Sequence, residues 1–314
     1  MSKQLLFLVA FLATSIFSAG ANAGLLVNDR WLDGTDSDPA APAYSETTSD
    51  SDSDGDLESV WFRGGNGTLD PTGAGGPLRG AFSAPTITSS ASWTTYFTPE
   101  ADKINLANPG DRMRITWAFT PTNVNASNSS QNFRIAVVES PNGTRPVADA
   151  SPPSGEYNGY ALFLNFGQTT GRSTPFQLLE RNPVNSDLLG TGGNWGNPVN
   201  APGFGTGAIG YASGTPYQLV MEFTRNGAAL DVVATMTGGN INGTGSVSVS
   251  TTDASPDSFV YDAFALRPSG ATTTAEIFDT SLFRVELFTP SIPEPASMVL
   301  FAVAGMLMVL RSRW

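Results

Sequence analysis

Apolar and polar residues alternate along much of the central part of the chain. Between residues 111 and 120, every second side chain is large and apolar, namely Met113, Ile115, Trp117 and Phe119. The same spacing recurs between residues 216 and 225, at Tyr217, Leu219, Met221 and Phe223. Successive side chains of a β-strand point to opposite faces, so a period of two predicts strands that are buried on one face.

A hairpin signal separates two predicted strands. Asn226-Gly227 follows the strand that ends at Arg225, and residues 228–236 resume a strand pattern. Asn-Gly suits a type I′ turn, because both central residues of that turn have positive φ. Further strands are predicted over residues 93–98, 133–137, 159–167, 176–181, 246–251, 259–267 and 276–288. No stretch of the body sustains a 3.6-residue period, and only a short helical turn near residues 98–105 is expected.

Together these strands predict an all-β fold for residues 57–290. Roughly a dozen strands within one region are typical of two packed antiparallel sheets. The 33 glycines and 22 prolines supply turns, and a charged fraction of 14% is low for a helical bundle. The pattern resembles the jelly-roll of the concanavalin A-like lectin and glucanase group. That resemblance implies one two-sheet antiparallel sandwich.

The first 23 residues have the order of features found in a secretory signal. Lys3 precedes an apolar run over residues 5–17, and the small residues Ala21 and Ala23 form a cleavage site before Gly24. We therefore expect a signal helix, export across the inner membrane and processing by signal peptidase. The alternative is a buried core helix, which would need neither the charge nor the cleavage site.

A second apolar segment occupies residues 291–314. Pro293-Glu294-Pro295 precedes an uncharged run over residues 296–310, and Arg311 and Arg313 follow it. As a helix the run would span roughly 22 Å, which is short for a hydrocarbon core of about 30 Å. Arginines beside a membrane helix favour the cytoplasm, so the body would lie outside. We predict a short C-terminal transmembrane helix.

These C-terminal residues resemble the PEP-CTERM sorting signal of exported bacterial proteins. The resemblance covers residues 292–314 and rests on the Pro293-Glu294-Pro295 motif, the short helix and the Arg311 and Arg313 cluster. It implies that exosortase removes the tail, and that the body reaches the cell surface or the extracellular matrix of a biofilm or floc. An ordinary tail anchor behind a chance Pro-Glu-Pro is the alternative.

Residues 24–56 are rich in acidic and small residues, and we interpret them as an extended, partly disordered approach to the sandwich. Trp31 and Leu32 are expected to dock on it as a short first strand. The acidic residues include a spacing typical of the first half of a calcium loop, at Asp50, Asp52, Asp54, Asp56 and Glu58. Trp61 stands where such a loop needs a bidentate acid. The sequence leaves two alternatives, a calcium site completed by another segment or a solvated Ser-Asp linker.

Charge and residue usage restrict the function. The formal net charge is −12, which disfavours binding to nucleic acid, and the chain has no Cys and no His. Without His the commonest general base is missing, so we predict a protein that is not an enzyme. Asp56 and Glu58 could share a sheet face as a glycosidase pair, but a solvated acidic surface is the simpler interpretation. Glu139, Glu180 and Glu222 are expected to be isolated.

One loop is a candidate sugar-binding site. Trp195 lies between Asn194 and Asn197 in a glycine-rich stretch. An exposed aromatic ring can stack on a sugar, and asparagine amides can bind its hydroxyl groups. The alternative is that the ring packs inward, as aromatic side chains on strands usually do.

The function predicted from these features is an exported, non-catalytic surface or matrix protein that associates with exopolysaccharide. Two alternatives remain open at this point. One is a secreted carbohydrate-active enzyme on the same scaffold. The other is an ice- or mineral-binding surface. Such a surface needs flat rows of exposed threonine, and Thr272-Thr273-Thr274 alone does not establish one.

Overall fold

The computed structural model describes residues 21–35, 50, 53–190 and 192–290. Residues Gly24–Leu287 form one compact unit. The predicted signal helix and transmembrane helix fall on residues 1–20 and 291–314, outside the described residues. Among the residues that are described, no helix has the length and apolar character needed to cross a membrane.

Nineteen strands make up about half of the described residues. The first ten are β1 (Ala21–Asp29), β2 (Trp61–Gly65), β3 (Gly67–Pro71), β4 (Leu78–Phe82), β5 (Ala91–Tyr96), β6 (Ile104–Asn105), β7 (Arg112–Thr122), β8 (Phe133–Glu139), β9 (Gly155–Glu156) and β10 (Asn158–Leu164). The other nine are β11 (Phe176–Arg181), β12 (Asn185–Ser186), β13 (Trp195–Asn200), β14 (Tyr217–Asn226), β15 (Ala229–Gly238), β16 (Ser246–Asp253), β17 (Val260–Tyr261), β18 (Ala263–Pro268) and β19 (Ile277–Pro290). The only helices in the described ranges are short 3₁₀ turns, at Glu100–Asp102, Gly192–Asn194 and Ile241–Gly243.

Two large antiparallel sheets form the body. The eight-stranded sheet has the order β16-β15-β14-β7-β19-β4-β3, and β1 also pairs with β19. The seven-stranded sheet has the order β13-β11-β10-β8-β18-β5-β2. Two short pairs, β6 with β17 and β9 with β12, lie beside them. The predicted all-β, two-sheet antiparallel sandwich is confirmed.

The alternating strands have the predicted faces. In β7, Met113, Ile115, Trp117 and Phe119 are at most 1% exposed, and the corresponding residues of β14 are equally buried. Trp117 stacks on Phe119 with ring centroids 4.0 Å apart, and its indole Nε1 donates to Thr280 Oγ1 on β19 at 3.0 Å. The space between the two sheets is thus filled largely by aromatic rings from both of them.

The predicted hairpin forms with a different turn. Asn226 pairs with Ala229, so Gly227 and Ala228 are the two loop residues. Positive φ occurs at Gly227 (+67°) and not at Asn226. Glycine at the first loop position with positive φ is the pattern of a type II′ turn, so the type I′ prediction was wrong. The buried faces of β14 and β15 determine how the two strands pair. In that register Asn226 is still part of β14, so the turn begins one residue later than the Asn226-Gly227 dipeptide indicated.

The sandwich includes residues N-terminal to its predicted start at residue 57. β1 ends at Asp29 and pairs with β19, where Arg284 Nε donates to Asn28 Oδ1 at 2.8 Å. Trp31 lies outside any strand, yet its side chain is 1% exposed and packs in the core. The prediction of a first strand at Trp31 and Leu32 was therefore wrong. Burial of a large indole holds this part of the acidic segment against the sheets.

A second apolar layer covers the outer face of the seven-stranded sheet. Ala136 and Val138 of β8 point away from the main core, on the opposite face from Ile135 and Val137. These outward side chains pack with residues from the loops that follow, including Leu188 and Leu189. This outer layer explains why strands of the seven-stranded sheet read as almost continuously apolar, since both of their faces are buried.

Candidate functional site

Three carboxylates from distant parts of the sequence meet beside β1 and β2. Asp33 lies in the loop after β1, and Asp54 and Glu58 lie in the segment before β2. One carboxylate oxygen from each of the three lies within 4.8 Å of the corresponding oxygen of the other two. We call Asp33, Asp54 and Glu58 the acidic cluster. The sequence predicted Asp54 and Glu58 as metal ligands, and it missed Asp33, because no spacing rule relates that residue to the later loop.

The other predicted ligands of the calcium loop have different positions. Asp50 accepts hydrogen bonds from the backbone N–H groups of Ser53 at 2.6 Å and Gly55 at 3.1 Å. Its carboxylate therefore organises the turn, in which Ser53 and Gly55 have positive φ. Asp52 is not among the described residues. Asp50 thus holds the turn that contains Asp54, and the other two carboxylates of the cluster come from residues before and after that turn.

Asp56 lies buried next to the acidic cluster. Its side chain is 2% exposed, and Oδ2 accepts hydrogen bonds from the backbone N–H groups of Arg30 at 2.9 Å and Leu32 at 3.4 Å. Within the part of the chain that the structure describes, no donor reaches the buried Oδ1. Burial, opposed by these hydrogen bonds and reinforced by the adjacent Asp54 carboxyl group, raises the pKa of Asp56 to about 6.

Asp29 joins the two segments that carry these acids. Its carboxylate accepts hydrogen bonds from the N–H of Trp31 at 3.0 Å and from the N–H and hydroxyl of Ser59 at 3.0 and 2.8 Å. Burial raises the pKa of Asp29 to about 8, against the effect of these hydrogen bonds. The three bonds hold the start of the Asp33 loop against the residues that precede β2. Asp33 and Glu58 are linked more directly by the Thr35 hydroxyl, which lies 2.8 Å from Asp33 Oδ2 and 3.3 Å from Glu58 Oε1.

A cleft opens where the edge strands of the two sheets approach each other. It has a volume of about 360 Å³ and is lined by Tyr160 and by residues 178–180, 197–199 and 251–254. We call this the edge cleft. Glu180 of β11 and Asp253 of β16 bring carboxyl groups to it, and Asn197 donates from Nδ2 to Glu180 Oε2 at 3.3 Å.

A β-bulge turns Asn197 toward the edge cleft. Leu178 pairs with Val199 and Glu180 pairs with Gly196, so β13 carries one more residue than β11 between those pairs. Asn197 has a φ of +48°, a conformation that asparagine adopts more readily than most residues. Bulges of this kind change the direction of one side chain without breaking the sheet.

The two carboxyl groups of the edge cleft have different proton affinities. Burial, together with a hydrogen bond to Asp253, raises the pKa of Glu180 to about 7. Burial also acts to raise the pKa of Asp253, but hydrogen bonds from the Tyr160 hydroxyl, the Ser255 N–H and Glu180 outweigh it, and the pKa is lowered. Below about pH 7 the two adjacent acids therefore hold one proton between them, which resides mainly on Glu180. The prediction that Glu180 is isolated was wrong, since sequence gives no sign that β11 and β16 meet.

The other two predicted isolated acids also have partners. Glu222 Oε1 accepts from Arg112 at 3.1 Å and from Arg114 at 2.8 Å, across the pair β7 and β14. Glu139 lies 3.7 Å from Lys103 and accepts a hydrogen bond from the Ser258 hydroxyl at 2.7 Å. Both acids take part in ion pairs on the surface of the sandwich.

The loop proposed for sugar binding is divided between two regions. Trp195 is 4% exposed, packs edge-to-face on Phe163 at 5.8 Å, and has the Arg181 guanidinium 5.2 Å from its ring centroid. Its ring is part of the outer apolar layer, which is the alternative that the sequence left open. Asn194 lines a separate polar pocket beside Arg267. Asn197 is the residue of this group that faces the edge cleft.

Thr272, Thr273 and Thr274 do not form a flat exposed row. Residues 272–274 lie in a turn before β19, and Thr274 is fully buried. Its hydroxyl donates to the carbonyl of Gly270 at 2.8 Å. This run therefore stabilises its own turn.

Comparisons with known proteins give structural likenesses alone. No protein-family model and no curated protein matches the chain. Solved structures similar to it include peanut lectin with a nine-residue peptide, with a TM-score of 0.43 and 10% identity over 87% of this chain and 100% of that one. Arcelin-5, a lectin-like defense protein from Phaseolus vulgaris, has a TM-score of 0.41 and 14% identity, covering 72% of this chain and 92% of the other. A protein of unknown function from Shewanella oneidensis MR-1 has a TM-score of 0.39 and 11% identity, covering 93% and 97%. At TM-scores below 0.5 these likenesses carry no argument about the ligand or activity of this chain.

Proposed function

We propose that this chain is an exported, non-catalytic surface or matrix protein whose sandwich binds a neutral exopolysaccharide in the edge cleft. The observation that carries the proposal is the composition of that cleft. It combines a tyrosine, an asparagine amide, two threonines and two carboxyl groups with the apolar side chains of Leu178, Pro198 and Val199.

These groups suit a sugar. Carboxyl, amide and hydroxyl groups can donate to or accept from the hydroxyls of a sugar ring, and the apolar residues can pack against its C–H face. A volume of about 360 Å³ falls in the usual range for ligand clefts, which is about 300–1,000 Å³. The net charge of −12 repels anionic polymers, so a neutral polysaccharide is the better ligand.

Export and sorting are part of the proposal and depend on sequence signals. Signal peptidase would cleave before Gly24, and exosortase would act at Pro293-Glu294-Pro295. The C-terminal helix would hold the protein in the inner membrane until the tail is removed. The processed body would then reside at the cell surface or in the extracellular matrix.

Retention on polysaccharide tests the binding function. The processed protein, residues 24–290, is incubated with the neutral exopolysaccharide of the producing cells and separated by co-sedimentation, and new reducing ends are measured in parallel. Retention without new reducing ends is the expected result. Asn197→Gly should weaken retention at least tenfold, because it removes the amide while it tolerates the positive φ. Asp70→Asn, on the distant strand β3, is the matched control and should bind normally. Failure of the wild-type protein to be retained would show that the proposal is wrong.

A second candidate function is glycoside hydrolysis in the same cleft. The observation that favours it is that the pKa of Glu180 is raised whereas the pKa of Asp253 is lowered. In glycosidases such a difference lets one carboxyl group act as the acid and the other as the nucleophile or base. In glycosidases, however, the two catalytic carboxyl groups lie ~5 Å or more apart, on either side of the scissile bond. Carboxyl groups that hydrogen-bond to each other are closer than that. New reducing ends that disappear in Glu180→Gln would establish the hydrolase in place of the binding protein.

A further inference from the structure

We propose that the acidic cluster binds one calcium ion, with Asp33, Asp54 and Glu58 as ligands and Asp56 as the adjoining acid. The ion would fasten the loop after β1 to the segment before β2. The site is separate from the edge cleft and does not depend on polysaccharide binding.

The geometry matches the size of the ion. Calcium–oxygen distances are about 2.3–2.6 Å, so two oxygens bound to one ion lie at most roughly 5 Å apart. One oxygen each from Asp33, Asp54 and Glu58 satisfies this limit, since these three atoms lie within 4.8 Å of one another. Asp33 and Asp54 are half-buried and Glu58 is 2% exposed, so the cluster forms a recess below the surface.

Asp56 gives an independent indication of a cation. Its carboxylate is 2% exposed, and the two N–H groups that reach it, from the backbone of Arg30 and Leu32, both bind Oδ2. Oδ1 is buried and no N–H or hydroxyl donor of a described residue reaches it. The Asp56 carboxyl group instead forms a hydrogen bond with the carboxyl group of Asp54, one of the three proposed ligands. A buried carboxylate oxygen without a donor costs stability unless positive charge lies nearby. A cation between the segments would supply that charge.

The ligand chemistry favours calcium over other metals. All candidate ligands are oxygens, and the chain has no His and no Cys, the residues that zinc and copper prefer. Carboxylates drawn irregularly from two segments suit the flexible coordination of calcium better than the strict octahedron of magnesium. A bound ion would also hold Asp33 and Asp54 close to each other, although they are far apart in the sequence.

A calcium titration of the full chain, purified in mild detergent, tests this site. Saturable calcium binding is measured by calorimetry, and the unfolding temperature is followed with and without calcium and with magnesium at the same concentration. We expect the unfolding temperature to rise with calcium and to respond much less to magnesium. Absence of saturable binding up to 10 mM calcium, or an unchanged unfolding temperature, would overturn the proposal.

Substitutions locate the ion. Asp33→Asn and Glu58→Gln are each expected to reduce calcium affinity at least tenfold, and Asp70→Asn should leave it unchanged. Circular dichroism in the absence of calcium shows whether each variant is folded. If folded Asp33→Asn binds calcium as tightly as the wild type, the ion lies elsewhere and this ligand set is wrong. Polysaccharide retention is not a readout here, so failure of the proposed function leaves this result unaffected.

Discussion

The hydroxyl of Tyr160 donates a 2.5 Å hydrogen bond to Oδ2 of Asp253. This bond connects β10 of the seven-stranded sheet to β16, the edge strand of the eight-stranded sheet. Tyr160 is 3% exposed, and its ring also packs on Phe223 of β14 with centroids 5.9 Å apart. This bond helps to hold the edge cleft in shape, because it links β10 directly to the residue that carries one of the two carboxyl groups.

Removal of the Tyr160 hydroxyl should destabilise the sandwich. Tyr160→Phe leaves the Asp253 carboxylate without its buried donor, which is expected to cost about 1–3 kcal/mol of unfolding free energy. Denaturant titration measures the change. Tyr261→Phe is the matched control, since the buried Tyr261 hydroxyl has no hydrogen-bond partner among the described residues and its loss should be neutral or stabilising. Equal destabilisation by both variants would contradict this account.

The Glu180 carboxyl group should make stability depend on pH. Its pKa is about 7 in the folded chain, against 4.5 for the ordinary group, so the folded state holds the proton more tightly. The resulting stabilisation is complete below about pH 4.5 and is lost as the pH rises through 7. Solvent screens this half-buried group, so we expect a loss of about 1–2 kcal/mol between pH 5 and pH 8.

Glu180→Gln is the test of that pH dependence. The amide cannot ionise, so the stability of the variant should change less between pH 5 and pH 8 than that of the wild type. Asp253 titrates in the acid range, because its pKa is lowered, and does not contribute in this window. Asp29 and Asp56 titrate in the same range and are present in both proteins, so the comparison isolates Glu180. An unchanged slope in the variant would show that Glu180 is not protonated in the folded state.

A buried ion pair beside β18 should be sensitive to truncation. Asp262 is fully buried, and its Oδ2 lies 2.5 Å from Nη2 of Arg145, with Lys103 at 4.0 Å. Arg145→Met removes the nearest cation from this buried carboxylate, which keeps its hydrogen bonds from Ser140, and we expect a loss of about 3–5 kcal/mol of unfolding free energy. The double variant Arg145→Met, Asp262→Asn should regain part of it, because the uncompensated charge is removed. No recovery in the double variant would show that the packing of Arg145 on Tyr96, 4.8 Å from the ring centroid, is the larger contribution.

Replacement of Pro293-Glu294-Pro295 by alanines should leave the C-terminal tail uncleaved. The expected result is a product in the host membrane that retains residues 296–314, because the proposed exosortase motif is gone. Mass spectrometry of the purified product measures this. Ser297→Ala, just after the motif, is the control and should be processed. Normal removal of the tail from the alanine variant would exclude the proposed sorting signal.

The sequence by itself determined the strands, because their signal is local. β7 and β14 were predicted from a period of two, and Met113 and Phe223 lie on the buried faces that this period requires. The short helical turn near residue 100 was also predicted and forms at Glu100–Asp102. The hairpin of β14 and β15 was predicted from adjacent residues, although its turn type depended on the register of the paired strands.

The tertiary structure alone decided which side chains meet. Glu180 and Asp253 lie on strands of different sheets. Asp33 meets Glu58 through the hydroxyl of Thr35, from a segment more than 20 residues away in the sequence. Trp195 was predicted as a possible sugar platform from its polar loop, yet the outer layer of the seven-stranded sheet buries its ring. The physical reason is common to these cases. Local spacing determines the direction of a side chain from its own strand, whereas burial and pairing across sheets depend on long-range packing that no single segment encodes.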